Sequence, residues 1–273
     1  MSSSVLTAKK YSKYKSWGEE YPDCVVDLST LKYDKSWKPL FRKLFAHPKF
    51  KKLEEKLTSS ITENQDVIIH PAPKLVFNAF YLTPFDNANV VIIGQDPYFD
   101  HSIRKSKVVH QAMGLSFSVP IDVDVPSSLA NIYRNMLQNG VIDEKPTHGN
   151  LQSWATQGCL MLNSSLTVLD GSANKNCHQR DWEWFTNDVI KYISDQRENV
   201  IFVLWGKNAF DKMKFIDVDK HDVLASSHPS GLSCNKPMGR EPAFAKFNHF
   251  GKINELLESR GNSPIDWKCE IDN

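Results

Sequence analysis

Four short apolar runs, alternating with segments of helical spacing, constrain the fold of this chain more than any other feature. Each run has the length and composition of a buried strand, and they lie at residues 89–93, 159–162, 200–205 and 222–227. The segments at 127–140 and 181–193 repeat apolar residues at the intervals of an amphipathic helix. Such alternation indicates right-handed crossovers between parallel strands. We predict a single α/β domain with a central, mostly parallel four-stranded sheet flanked by helices.

Polar or turn-forming residues follow each of the four runs. In chain order these segments read GQDPY, NSS, GKN and HPSGLS. Because the carboxyl ends of parallel strands lie along one edge of a sheet, where ligands bind, we expect Asp96, Asn163 and His228 to converge. Taken singly, each has an ordinary structural explanation, as a turn former, a helix cap and a turn histidine. Only the shared sheet edge favours a functional site.

Charge and composition limit the classes of protein that the chain can belong to. It has 33 Lys and Arg against 32 Asp and Glu, so its net charge neither indicates nor excludes a nucleic-acid partner. No apolar run approaches the ~20 residues of a membrane helix, and the N-terminus lacks the apolar stretch of a signal peptide. We therefore predict an intracellular protein that has no membrane partner.

The cysteines and the N-terminal residues support two further predictions. Five cysteines are scattered along the chain without a C-x-x-C pair, which predicts reduced thiols and no metal site or other cofactor. Residues 1–30 are rich in Ser, Lys and Tyr and have no sustained period, which is typical of a loosely attached extension. The predicted body spans residues 31–273.

Four motifs of the sequence, three of which contain a strand-end segment, together resemble the family 1 uracil-DNA glycosylases. GQDPY is similar to that family's water-activating loop, GLSFSV (114–119) to its base-stacking strand, LMLNSSLTV (160–168) to its uracil-recognition strand, and HPSGLS (228–233) to its leucine intercalation loop. This resemblance implies a monofunctional glycosylase. Such an enzyme flips uracil out of single- or double-stranded DNA and hydrolyses the N-glycosidic bond, leaving an abasic site for base excision repair.

The resemblance also implies the residues that carry out catalysis and base recognition. Asp96 would activate water and stabilise the cationic sugar, and His228 would donate a hydrogen bond to uracil O2. The Asn163 amide would pair with uracil N3–H and O4, whereas cytosine presents the reversed pattern. The residues expected to bind uracil are Gln95, Tyr98, Phe117 and Asn163, with Tyr98 excluding the thymine methyl group and Phe117 stacking on the base.

A second group of residues would hold the DNA. Small hydroxyl side chains allow close approach to phosphates, and an apolar side chain can fill the stack from which a base has been flipped. By its position in the leucine loop, Leu232 would be that wedge. The residues expected to bind DNA are Ser127, Lys207, Ser230, Leu232 and Ser233. Further expected features are a monomeric state, repair or replication proteins bound by the extension, and a nuclear, viral or other DNA-containing compartment.

Several departures from the family pattern leave a second hypothesis open. Phe99 stands where the family usually has a histidine, Gly231 stands where proline is usual, and the chain is longer at 99–113 and 234–247. Phe99 and the two longer segments allow a DNA-binding, replication-associated scaffold with weakened catalysis. A third hypothesis, an α/β hydrolase with Asp96 and His228 as nucleophile and base, lacks support because no G-x-S-x-G elbow occurs.

Overall fold

The computed structural model describes residues 14–104 and 107–269. The helices of this part of the chain are α1 (Trp17–Glu20), α2 (Lys38–Phe45), α3 (Pro48–Glu63), α4 (Asn78–Leu82), α5 (Ser127–Gln138), α6 (Gln152–Thr156), α7 (Gln179–Gln196), α8 (Lys207–Phe210) and α9 (His249–Ser259). The strands are β1 (Ile69–His70), β2 (Val90–Gly94), β3 (His101–Arg104), β4 (Lys107–His110), β5 (Cys159–Asn163), β6 (Val168–Leu169), β7 (Ile201–Trp205) and β8 (Asp222–Ser226).

A parallel sheet of four strands forms the centre of the molecule, in the order β5-β2-β7-β8. These are the four strands predicted from the apolar runs, and the predicted α/β architecture is confirmed. Every residue of β2, β5 and β7 is buried, because helices cover both faces of the sheet. The register places Gly94 beside Asn163 and Trp205 beside Ser226.

The two predicted amphipathic helices are present as α5 and α7. Each turns its apolar side chains towards the hydrophobic core. The buried residues include Leu129, Ile132, Tyr133 and Met136 of α5 and Trp182, Phe185, Val189 and Ile193 of α7. The 3.6-residue periodicity of the apolar residues therefore correctly predicts which face of each helix packs on the core. Among residues 14–104 and 107–269, every helix falls short of the length and apolarity that a membrane span demands.

The first described residues pack onto the body. Trp17 is buried in α1, and its indole N–H donates to the backbone oxygens of Ile69 (2.9 Å) and Pro71 (3.0 Å). Val26 and Leu28 are also buried. Residues 1–13 of the expected extension lie outside the described part of the chain, and the domain boundary near residue 31 stays a prediction.

Candidate active site

The carboxyl edge of the central sheet bears a pocket of about 160 Å³. Asp96 follows β2, Asn163 ends β5 and His228 follows β8. Parallel pairing of β2 with β5 and of β7 with β8 brings these strand ends to the same edge. The sequence-predicted residues that line the pocket are Gln95, Asp96, Tyr98, Phe117, Asn163 and His228.

Asp96 presents a carboxylate with few interactions. Burial raises its pKa to about 6, while the nearby Lys175 ammonium acts in the opposite direction. The backbone N–H of Asn176 faces the carboxylate and also lowers the pKa, but it lies outside normal hydrogen-bond geometry. Neither carboxylate oxygen has a hydrogen-bond partner among the described residues. Both oxygens are buried, and no described protein group uses their capacity to accept hydrogen bonds.

His228 is held in one orientation and one protonation state. Its Nδ1 atom accepts a hydrogen bond from the backbone N–H of Ser230 at 3.0 Å. Burial, with a smaller contribution from the Lys175 charge, lowers its pKa to about 4. A neutral imidazole that accepts at Nδ1 carries its proton on Nε2. His228 therefore offers a neutral N–H donor to the pocket at physiological pH.

Asn163 is buried where β5 meets Gly94 of β2. A Cβ atom added to Gly94 would lie 2.2 Å from Oδ1 of Asn163 and 2.7 Å from Cβ of Ser116. Only glycine at residue 94 leaves room for the Asn163 amide in its present position. The sheet register and this close approach together fix the direction of the amide.

Phe117 lies in a turn, so the expectation of a base-stacking strand at residues 114–119 is wrong. Gly114 and Phe117 have φ angles of +73° and +61°, which interrupt an extended conformation. The segment is joined to β5 by a bond from Ser116 N–H to Met161 O (3.0 Å). The unfavourable backbone of Phe117 keeps its ring centroid 5.9 Å from that of His228.

Tyr98 and Gln95 complete the predicted uracil-binding set. The Tyr98 hydroxyl donates to the Phe117 carbonyl at 3.4 Å, so the phenol is tied to the turn that carries the aromatic ring. The Gln95 side chain donates to Oδ1 of Asn176 at 2.7 Å, and its backbone oxygen accepts from Ser165 N–H at 2.9 Å. Both residues line the pocket and are held there by contacts with other protein groups.

Two polar residues that line the pocket, Lys175 and Ser128, were not predicted from the sequence. Lys175 lies between β6 and α7, and its charge acts on both Asp96 and His228. No strand-end motif points to it, because its loop follows a strand outside the central sheet. Ser128 adjoins Ser127, which was expected to bind DNA and which is exposed at the start of α5.

The residues expected to bind DNA lie on three segments that meet around His228. Leu232 is 86% exposed, in the same loop as Ser230 and Ser233. Asn131 of α5 donates to the Pro229 carbonyl at 2.8 Å, which joins the segment of Ser127 to this loop. Lys207 begins α8, directly after Gly206, whose missing side chain leaves room for His228.

Lys207 forms an exposed ion pair with Asp211 of the same helix. The Nζ atom lies 2.8 Å from Oδ1 of Asp211, and both side chains are largely exposed. Exposed pairs of this kind contribute about 0–1 kcal/mol, so a phosphate could compete for the ammonium.

The sequence and the fold can be compared with those of known proteins. The family described as "Uracil DNA glycosylase superfamily" matches residues 80–258. A "Uracil-DNA glycosylase" of Campylobacter hominis is 45% identical over 89% of this chain and 95% of its own length. A "Probable uracil-DNA glycosylase" of Acanthamoeba polyphaga mimivirus is 40% identical over 96% of this chain and 72% of its own.

A solved structure shares the fold as well as the sequence. The crystal structure of mimivirus uracil-DNA glycosylase superposes with a TM-score of 0.86 at 40% identity, and covers 93% of this chain and 94% of that one. The family match extends over more than half of the chain and includes Asp96, Asn163 and His228. The chain therefore belongs to the uracil DNA glycosylase superfamily.

Proposed function

We propose that this chain, a uracil-DNA glycosylase, belongs to family 1 and acts on both single- and double-stranded DNA. It is a hydrolase of N-glycosyl bonds that works in base excision repair. The observation that carries the assignment to family 1 is the meeting of three groups in one small pocket: a carboxylate with no hydrogen-bond partner among the described residues, a neutral histidine and a buried amide. These groups are Asp96, His228 and Asn163.

The pocket contains one group to stabilise each of the two charges that develop on the substrate. As the bond from C1′ to N1 breaks, its electron pair moves to uracil and the sugar becomes cationic. The Asp96 carboxylate stabilises the cation and orients the water that attacks C1′, and it can take up the proton that this water releases. The Nε2–H group of His228 donates to O2 of the departing uracil anion.

Recognition of uracil rests on side chains that cannot easily move. The Asn163 amide pairs with N3–H and O4, while cytosine would leave a buried donor facing a donor. Phe117 stacks on the base, Tyr98 closes the space that a thymine methyl group would need, and Gln95 contributes backbone contacts at the rim. A base flipped from DNA is thereby tested for hydrogen bonding and for shape.

The DNA is held by groups that do not read its sequence. Ser127, Ser230 and Ser233 approach the phosphates, and Lys207 exchanges its Asp211 partner for a phosphate oxygen. Leu232 enters the base stack in place of the flipped nucleotide. Its 86% exposure supports this role, since none of the described residues shields this large apolar side chain.

Leu232→Ala should reduce activity on duplex DNA about tenfold and leave activity on single strands nearly unchanged. A single strand has no stack to fill, so only the duplex reaction loses the wedge. Initial rates on matched uracil-containing substrates give the comparison. Val218→Ala removes an exposed apolar side chain elsewhere and should alter neither rate. Equal losses on both substrates would remove Leu232 from the wedge role.

Lys175→Gln should move the acidic limb of the pH–rate profile to higher pH. Asp96 must be ionised, so activity falls as the pH drops through its pKa of about 6. The Lys175 charge lowers that pKa, and its removal raises it. Measured kcat/KM from pH 5 to 8 tests this, with exposed Lys191→Gln as control. If the acidic limbs of the two pH–rate profiles coincide for the variant and the wild type, Lys175 has no electrostatic role at Asp96.

The catalytic assignment is tested with an end-labelled single strand that contains one deoxyuridine. The protein is incubated with this strand in EDTA, the products are treated with alkali, and strands with thymine or cytosine at the same place serve as controls. Cleavage at uracil only supports the proposal. Binding without cleavage would favour the scaffold hypothesis, which the glycosylase relatives do not support.

The remaining proposals concern partners and location. We propose that the enzyme is a monomer in a DNA-containing compartment, and that residues 1–30 form an extension that binds replication or repair proteins. Size-exclusion chromatography with light scattering tests the first point. Deleting residues 1–13 tests the second, because capture of such partners should be lost while cleavage of short oligonucleotides is retained.

A further inference from the structure

Outside the uracil pocket, four side chains converge where the β3–β4 hairpin meets the body of the protein. His101 and His110 are a directly opposed pair on the two strands of this hairpin. His70 ends β1, and Asp170 follows β6, the antiparallel partner of β1. Residues far apart in the sequence are thus brought together at the junction of two small antiparallel sheets.

The ligand atoms of this cluster point at one another. Oδ1 of Asp170 lies 2.8 Å from Nε2 of His70 and 2.7 Å from Nδ1 of His101. All three atoms lie within 4.8 Å of one another. The His70 side chain is fully buried, whereas those of His101 and Asp170 are 23% and 34% exposed. The cluster is therefore fixed on its inner side and open to solvent on its outer side.

We infer that this cluster is a binding site for one divalent transition-metal ion, with Zn²⁺ as the best match. Two imidazoles, one carboxylate and a water molecule make a usual tetrahedral set for Zn²⁺. Bonds of about 2.0–2.1 Å separate neighbouring ligand atoms by roughly 3.4 Å, so Asp170 needs to withdraw by less than ~1 Å from each nitrogen. The partly exposed side provides the path of entry.

His110 is the positioning residue of this site. A ligating imidazole presents the lone pair of one nitrogen and carries its proton on the other. When His70 binds through Nε2, its proton is on Nδ1, which lies 2.8 Å from Nδ1 of His110. His110 can accept that proton in a hydrogen bond and so hold the ring of His70 in the ligating orientation.

The metal ion would anchor the hairpin beside the catalytic loop. The N–H of Gly171, next to Asp170, donates to the carbonyl of Phe99 at 2.9 Å, directly after the GQDPY motif. The ion would join β1, the segment after β6 and the hairpin, and none of its three ligands lines the uracil pocket. Its role is structural, and hydrolysis of the glycosidic bond does not pass through it.

The test uses full-length protein without a histidine tag, first dialysed against EDTA and then freed of chelator. Titration with Co²⁺ should give the intense visible absorption of a tetrahedral complex at one ion per chain, and Zn²⁺ should displace it. Zn²⁺ should also raise the midpoint of thermal unfolding. His101→Ala and Asp170→Asn should each weaken Co²⁺ binding by at least about tenfold and abolish the thermal shift.

Asp170→Asn distinguishes a metal site from a set of hydrogen bonds. The amide oxygen still accepts from both histidines, so the variant keeps the hydrogen-bonded contact but loses the anionic ligand. Asp124→Asn is the matched control, since Asp124 lines the same surface depression as His101 without belonging to the cluster. Unchanged Co²⁺ binding in both cluster variants, or wild-type binding weaker than about 1 mM, would overturn the inference. Retained uracil excision by His101→Ala separates this outcome from a failure of the proposed function.

Discussion

Asp96→Asn should lower kcat on uracil-containing DNA by about 10³-fold or more, with little change in KM. The substitution removes the charge that stabilises the cationic sugar and the base that receives a proton from water, and each effect is worth roughly 10²–10³-fold. Both oxygens of Asp96 lack hydrogen-bond partners among the described residues, so no network is broken by the change. Single-turnover rates on a labelled strand measure the effect without interference from product release.

Stability provides the control for this experiment. The folded-state pKa of Asp96, about 6, lies above the usual carboxyl value. The raised pKa means that the Asp96 carboxyl group adds to the free energy of unfolding mainly below pH ~4. This contribution is lost as the pH rises through 6. At pH 8 the neutral asparagine should therefore melt no lower than the wild type. Asp188→Asn, at an exposed position of α7, should leave both rate and melting unchanged. A loss smaller than tenfold in Asp96→Asn would assign the catalytic charge to another group.

Asn163→Asp should reduce discrimination between uracil and cytosine by about 10²-fold or more. A site built to hydrogen-bond one base rejects the other because a mismatched pair leaves buried polar groups unsatisfied. A carboxyl group in place of the amide removes the donor to O4 and can accept from the exocyclic amine of cytosine. Competition between strands containing uracil and cytosine gives the ratio of kcat/KM values.

Asn89→Asp is the matched control for this change. Asn89 precedes β2 at the opposite end of the strand from the pocket, and its side chain accepts a hydrogen bond from Arg197 at 2.9 Å. A carboxylate at residue 89 keeps that contact, so folding and base preference should both be retained. Unchanged discrimination in Asn163→Asp would mean that this amide does not contact the base.

The central sheet was predictable because its signals are local. Buried parallel strands appear as continuous apolar runs, and helices that cover them repeat apolar residues with a 3.6-residue period. Since parallel strands end at one edge, the strand-end motifs also indicated that Asp96, Asn163 and His228 would meet. Fold and pocket position thus follow from patterns that each occupy fewer than twenty residues.

Other features depend on contacts between distant segments. Lys175 reaches the pocket only because its loop folds back over the end of β2, and nothing in its neighbouring sequence indicates this. The left-handed backbone at Phe117 is imposed by its surroundings, since phenylalanine has no intrinsic preference for it. The His70, His101 and Asp170 cluster likewise has no short spacing that could reveal it.

The sheet register has a consequence for how this protein can change over evolutionary time. The separations between Asp96, Asn163 and His228 are set by ladders of backbone hydrogen bonds between neighbouring strands. Asn163 ends β5, and Asp96 and His228 each lie two residues beyond the last residue of a strand. Segments such as 99–113 and 234–247 can therefore lengthen, fold into a hairpin or gain new ligands while the catalytic groups stay in place. In such a fold, the sequences of surface segments can change faster than the catalytic residues do.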